Sequence, residues 1–100
     1  MTKIIRIYTE DITTKRVKLL NCVLRHFPSG ASVFYGRGIY KTKEGKSIKE
    51  KSTLIEIITA QLFNWREEVI RLAKDIKILN NQESVLIVEV EVPDNQVNFI

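Results

Sequence analysis

Alternation opens the chain. In residues 3–9 (KIIRIYT), Ile5 and Ile7 fall on one face while Arg6 and Tyr8 fall on the other, the period-two pattern of a strand. Asp11, Thr13 and Thr14 then offer side-chain oxygens to the free N–H groups of a helix start. Val17, Leu20, Leu24 and Phe27 recur at helical spacing and predict one buried stripe. The run PSG at 28–30 ends this helix, because Pro28 disfavours helical backbone at Phe27 and Gly30 permits a turn. A second strand from 31 to about 41 is rich in Val33, Phe34, Tyr35, Ile39 and Tyr40 and is interrupted by Gly36 and Gly38. Residues 42–50 read as a lysine-studded hairpin loop centred on Gly45. Residues 53–59 (TLIEIIT) are apolar on both faces except at Glu56, the pattern of a central strand.

Asn64 and Glu67 have capping-box spacing at the start of a second helix. Its predicted buried stripe is Val69, Leu72, Ala73, Ile76 and Leu79. The last strand, 84–92, sets Leu86, Val88, Val90 and Val92 against Ile87, Glu89 and Glu91, and Pro93 closes it. The order βαββαβ predicts an α+β ferredoxin-like plait: two right-handed crossovers joined by a hairpin, giving a four-stranded antiparallel sheet with both helices on one face. The first and third strands become central. The open sheet face is expected to carry Arg6, Tyr8, Leu54, Glu56, Ile58, Val85 and Ile87, a mixture too apolar to stand in water, which implies a homo-oligomer.

Length and composition set the class: 100 residues, 44% hydrophobic and 28% charged, predict a single soluble globular domain over 1–100. The chain has neither an apolar run long enough to span a bilayer nor a leader-like start, so the expected setting is the cytoplasm, with no membrane partner. Charge changes the picture more. Residues 37–51 hold six basic side chains (Arg37, Lys41, Lys43, Lys46, Lys49, Lys51) and two acidic ones (Glu44, Glu50), netting +4. The whole chain also nets +4, so all other residues sum to zero. The positive charge belongs to one element.

Candidate chemistry is sparse elsewhere. His26, the only histidine, reads as a helix-end imidazole near the last carbonyls. Cys22 reads as a small buried hydrophobe: a single thiol without histidine partners makes no zinc site, and no base is placed to activate it. Glu67 with Glu68 suits a helix start, and Glu89 with Glu91 suits an exposed strand face. The reading is therefore a non-enzymatic protein with no metal and no cofactor. The glycine-flanked arginine has the better claim. Gly36 and Gly38 permit close backbone approach or a bulge, Arg37 presents a planar fork suited to phosphate or carboxylate, and the lysines raise the local potential. The candidate ligand-binding set is Gly36, Arg37, Gly38, Tyr40, Lys41, Lys43, Lys46, Lys49 and Lys51. A nucleic-acid partner is the second choice, with the lysines tracking phosphates.

The segments FYGRGIYK, KSTLIEIIT and SVLIVEVEV, in this order and spacing, resemble the PII-like group of small signalling proteins together with the CutA-type proteins. The resemblance implies a trimer with open sheet faces turned inward and a nucleotide or similar small anion held between subunits at the base of the loop. It places Gly36, Arg37 and Gly38 at that base and 42–49 as the moving part. The tail PDNQVNFI lacks the basic residues that nitrogen-regulatory members carry there, and the Lys/Ile/Asn-rich composition also suits a phage or plasmid gene. In that setting the scaffold could sequester a signalling nucleotide.

Overall fold

The structure, a computed structural model, describes residues 1–100. Its elements run β1 (Thr2–Glu10), α1 (Arg16–His26), β2 (Ser32–Lys41), β3 (Ser47–Ile58), α2 (Trp65–Asn80) and β4 (Leu86–Val92). The strands pair antiparallel in the order β2-β3-β1-β4, and both helices lie on one face of the sheet. This is the ferredoxin-like plait. The core is an isoleucine layer on the two central strands: Ile5, Ile7, Ile55 and Ile57 are each 0% exposed. In register Ile5 stands opposite Ile57 and Ile7 opposite Ile55, so all four point towards the helices. Leu19, Val23 and Phe27 of the α1 side and Val69, Leu72 and Ile76 of α2 close over them. Each such side chain contributes about 1.5–3 kcal/mol on burial.

The α2 stripe lies where its spacing puts it, with Val69, Leu72, Ala73 and Ile76 buried and Leu79 packed at the margin. Other expectations need correction. The buried stripe of α1 is Leu19, Cys22, Val23 and Phe27, while Val17, Leu20 and Leu24 are 70%, 42% and 59% exposed. Residues Thr13–Lys15 form a 3-10 turn ahead of α1, so none of Asp11, Thr13 or Thr14 caps it. Asn64 does not form a capping box either: it sits in the left-handed region (φ 53°) and makes no side-chain cap bond.

The phase of β4 is also the reverse of the expected one. Ile87 pairs with Ile7 on the helix side, with Val85 packed nearby, whereas Leu86, Val88 and Val90 pair with Tyr8, Arg6 and Ile4 on the open side. Pairing partners share a face, so the register set by β1 decides this. The open face therefore gathers Ile4, Tyr8, Phe34, Leu54, Ile58, Leu86, Val88 and Val90 around one cross-strand ion pair, Arg6 to Glu56 at 3.2 Å.

Candidate functional site

The basic segment is not a loop. β2 and β3 remain paired from Ser32 opposite Glu56 to Lys41 opposite Ser47, and only Thr42 to Lys46 turn. Thr42 N–H donates to the Lys46 carbonyl at 2.8 Å and Gly45 N–H to the Thr42 carbonyl at 3.0 Å, with Gly45 at φ 82°, where a side chain would be strained. The expected loop at 42–50 therefore contracts to this turn, because exposed lysines and Glu50 are tolerated in a ladder as well as in a loop. Pairing of β1 with β3 ends at Glu10 opposite Ser52. Beyond Gly36 and Ser52 the hairpin runs on as a two-stranded ribbon, five further pairs long, or roughly 17 Å at about 3.3 Å per residue.

Register divides the candidate residues between the ribbon's two faces. Arg37 opposes Lys51, Ile39 opposes Lys49 and Lys41 opposes Ser47 on the helix side. Gly36, Gly38 and Tyr40 oppose Ser52, Glu50 and Ile48 on the open side, where the Tyr40 hydroxyl donates to Glu50 at 3.4 Å. Lys43 and Lys46 lie in the turn. The site set is thus split: Arg37, Lys41, Lys49 and Lys51 share one face, and Gly36, Gly38 and Tyr40 face the other way. None of these four cations makes an ion pair within the chain.

The glycines form no bulge, since pairing is unbroken through them and neither has a positive φ. A Cβ added at Gly36 or Gly38 meets nothing within 4 Å. Their effect is to leave a bare stretch on the open face between Phe34 and Tyr40. A shallow hollow of about 210 Å³ begins there, lined by Tyr8, Phe34, Tyr35, Arg37, Ser52 and Leu54 beside Gly36.

Asp11, expected to start the first helix, instead holds the ribbon's base together with Arg16, to which sequence alone assigned no role. Asp11 N–H donates to the Lys51 carbonyl at 3.1 Å, and Arg16 Nε donates to Asp11 Oδ1 at 2.8 Å. The Arg16 guanidinium also stacks over the Tyr35 ring at 4.2 Å. The Arg16 hydrogen bond, with the nearby Lys51 charge, holds the Asp11 carboxyl below its usual range. Asp11 is thereby committed to Arg16 and leaves the ribbon's own cations unneutralised. These contacts span five to forty residues and carried no local signal.

A cleft of about 620 Å³ lies at the other end of the hairpin between Gly30–Ser32, Ile58–Leu62 and Val97–Phe99. Its walls hold no basic residue, and their one charge, Glu56, is tied to Arg6. The ribbon, by contrast, carries cations without ion-pair partners. Between the helices the structure overturns a second reading: His26 does not meet the carbonyls but bonds Glu68 at 2.9 Å and Asp75 at 2.6 Å, and it joins Cys22 in a cluster with Asp75. Cys22 therefore does have a histidine partner.

The model of the family described as "Protein of unknown function (DUF3574)" matches residues 19–99. The chain belongs to this family. Among solved structures, a phage SAM lyase in complex with S-methyl-5'-thioadenosine superposes with a TM-score of 0.67 at 20% identity, covering 90% of this chain and 81% of that one. The PII-like protein CutA from Nostoc gives 0.63 at 18% identity, covering 96% and 86%. The periplasmic divalent cation tolerance protein CutA from Archaeoglobus fulgidus gives 0.61 at 12%, covering 92% and 84%. The CutA/PII-like fold is thus shown. No curated protein matches the chain. The non-enzymatic expectation is corrected by the lyase, an enzyme with the same fold. No helix of the chain is long and apolar enough to cross a membrane.

Proposed function

We propose that this family member is a homo-oligomeric small-ligand module, trimeric in the favoured arrangement, that takes a phosphorylated nucleoside or a similar small anion on the basic face of the β2–β3 ribbon. One observation carries the reading: Arg37, Lys41, Lys49 and Lys51 crowd one face of a projecting ribbon and have no ion-pair partner in the chain. Four unneutralised cations on one face repel one another, and an anion relieves that repulsion. Arg37 supplies a bidentate fork and the lysines supply charge. The bound thionucleoside of the lyase supports a nucleoside-type ligand on this fold, but it carries no phosphate. The ribbon's charge favours a phosphorylated one.

Assembly follows from two features. The open face leaves Phe34, Ile58 and Leu86 52%, 52% and 60% exposed. An isolated two-stranded ribbon is marginal in water, and this one exposes Ile39 and Tyr40 at its middle. A closed ring of subunits covers the face and braces each ribbon against a neighbour. A free, buried thiol at Cys22 suits a reducing cytoplasm.

Native mass spectrometry of the purified protein tests the reading: a closed oligomer retaining a phosphorylated small molecule is expected, and the same ligand is then incubated with the protein to look for turnover. A monomer that binds no nucleotide would end it. One observation favours a second reading, since a two-stranded ribbon with one basic face fits the major groove of duplex DNA. Binding that grows with oligonucleotide length and falls steeply with salt would select it.

A further inference from the structure

Cys22 and His26 stand one turn apart on α1, and Asp75 reaches them from α2. The Cys22 sulfur, a His26 ring nitrogen and an Asp75 carboxylate oxygen all lie within 4.8 Å of one another. We infer that Cys22, His26 and Asp75 form a binding site for a divalent zinc-type cation, with Glu68 as the carboxylate that orients the histidine.

The donor set carries the choice of ion. One thiolate, one imidazole and one carboxylate is a borderline-soft set, which suits zinc and disfavours magnesium or calcium. Tetrahedral zinc with bonds of about 2.0–2.3 Å places its ligand atoms roughly 3.3–3.6 Å apart. To reach that spacing the Nε2–Oδ2 pair, now 2.6 Å apart, opens by about 1 Å, and the Cys22 sulfur, within 4.8 Å of both, closes by up to about 1 Å, both by small side-chain rotations. The groups that orient these donors are in position as well. His26 Nδ1 meets Glu68 Oε2 at 2.9 Å, which directs Nε2 at the site, and Nε2 lies 2.6 Å from Asp75 Oδ2. Glu68 is itself held by Arg71 at 2.8 Å.

As the side chains stand, both ring nitrogens of His26 face carboxylates, Glu68 on one side and Asp75 on the other. Coordination replaces the Nε2 proton and the Cys22 thiol proton, both of which leave to solvent. Arg25 occupies the cation's place in part: its guanidinium is 3.7 Å from both Cys22 Sγ and Asp75 Oδ2. At 67% exposure its side chain is free to swing away. A cleft of about 450 Å³, walled by Lys18, Asn21 and Leu79, opens over the cluster and leaves the fourth coordination position to water or an exogenous ligand.

The experiment uses the full chain stripped with chelator and titrated with Co²⁺ alone, followed by displacement with Zn²⁺. One cobalt per chain is expected, with tetrahedral visible absorption and a thiolate-to-cobalt charge-transfer band that zinc abolishes. Cys22→Ser should lose the charge-transfer band. Glu68→Gln should keep the band while weakening affinity about 10–100-fold. Arg25→Ala should tighten binding severalfold, a change that a purely structural clamp between the helices does not produce. Asp75→Asn, at a side chain 42% exposed, tests the site even if Cys22→Ser fails to fold. Absence of saturable absorption in the wild type, or an unchanged titration in Asp75→Asn, would overturn the assignment.

Discussion

Leu86→Asp probes how much of the molecule's order depends on its neighbours. Leu86 is 60% exposed on the edge strand β4 and lies opposite Tyr8 on the open face. The chain's own core makes little use of it, so the isolated fold should survive the change. Complete burial of a leucine is worth about 1.5–3 kcal/mol, so covering the exposed part contributes about 1–2 kcal/mol per subunit. Across a three-subunit ring the lost burial comes to about 3–6 kcal/mol. An unpaired carboxylate in an apolar contact costs several kcal/mol more. The burial component alone shifts the assembly equilibrium roughly a thousandfold. Sedimentation at micromolar concentration should show the wild type assembled and Leu86→Asp dissociated, with matching far-ultraviolet circular dichroism. A variant that sediments as the wild-type assembly, or a wild type that is monomeric, would refute the reasoning.

Three other perturbations follow from local geometry. Gly36→Val and Gly38→Val should leave the fold intact, because a Cβ there meets nothing within 4 Å, yet they should weaken assembly by filling the bare stretch of the open face; unfolding on thermal melts would show that the bare stretch serves the chain itself. Thr53→Val should raise the melting temperature, since the Thr53 hydroxyl is fully buried without a partner and such a group costs about 1–3 kcal/mol; a lower melting temperature would reveal an unrecognised bond. Asp11→Asn should destabilise by about 1.5–3 kcal/mol at neutral pH by weakening the charged bond to Arg16. Because the folded Asp11 pKa is held below 3.8, its contribution is complete above about pH 4 and is lost as pH falls through the folded value. Wild type and variant should therefore converge in acid, as denaturant melts across that range can show.

The plait was legible because its evidence is local: each element announced itself by period, and only one compact arrangement of βαββαβ obeys the handedness rule. Phase was less legible. Helix α1 carries apolar residues at 17, 19, 20, 22, 23, 24 and 27, enough for two stripes, and only packing against the isoleucine layer selects Leu19, Cys22, Val23 and Phe27. In β4 an unbroken apolar run from Val85 to Val88 hides the alternation until Ile87 is set opposite Ile7. The concentration of charge at 37–51 was plain, but its division between two faces depends on pairing that extends into residues read as loop. The contacts of His26 with Glu68 and Asp75 span 42 and 49 residues and have no trace in local spacing.

The central claim, that the ribbon's basic face holds a phosphorylated ligand through Arg37, is tested most directly by calorimetric titration of ATP, ADP and cyclic AMP into the wild type, Arg37→Ala and Arg37→Lys. At least one nucleotide should bind the wild-type oligomer, and both variants should lose about ten- to a hundredfold in affinity, the worth of a charge-assisted hydrogen bond of about 1.5–3 kcal/mol. The lysine variant should fare little better than alanine, because a point charge does not replace a planar fork. Equal binding of every nucleotide by wild type and Arg37→Ala would contradict the account.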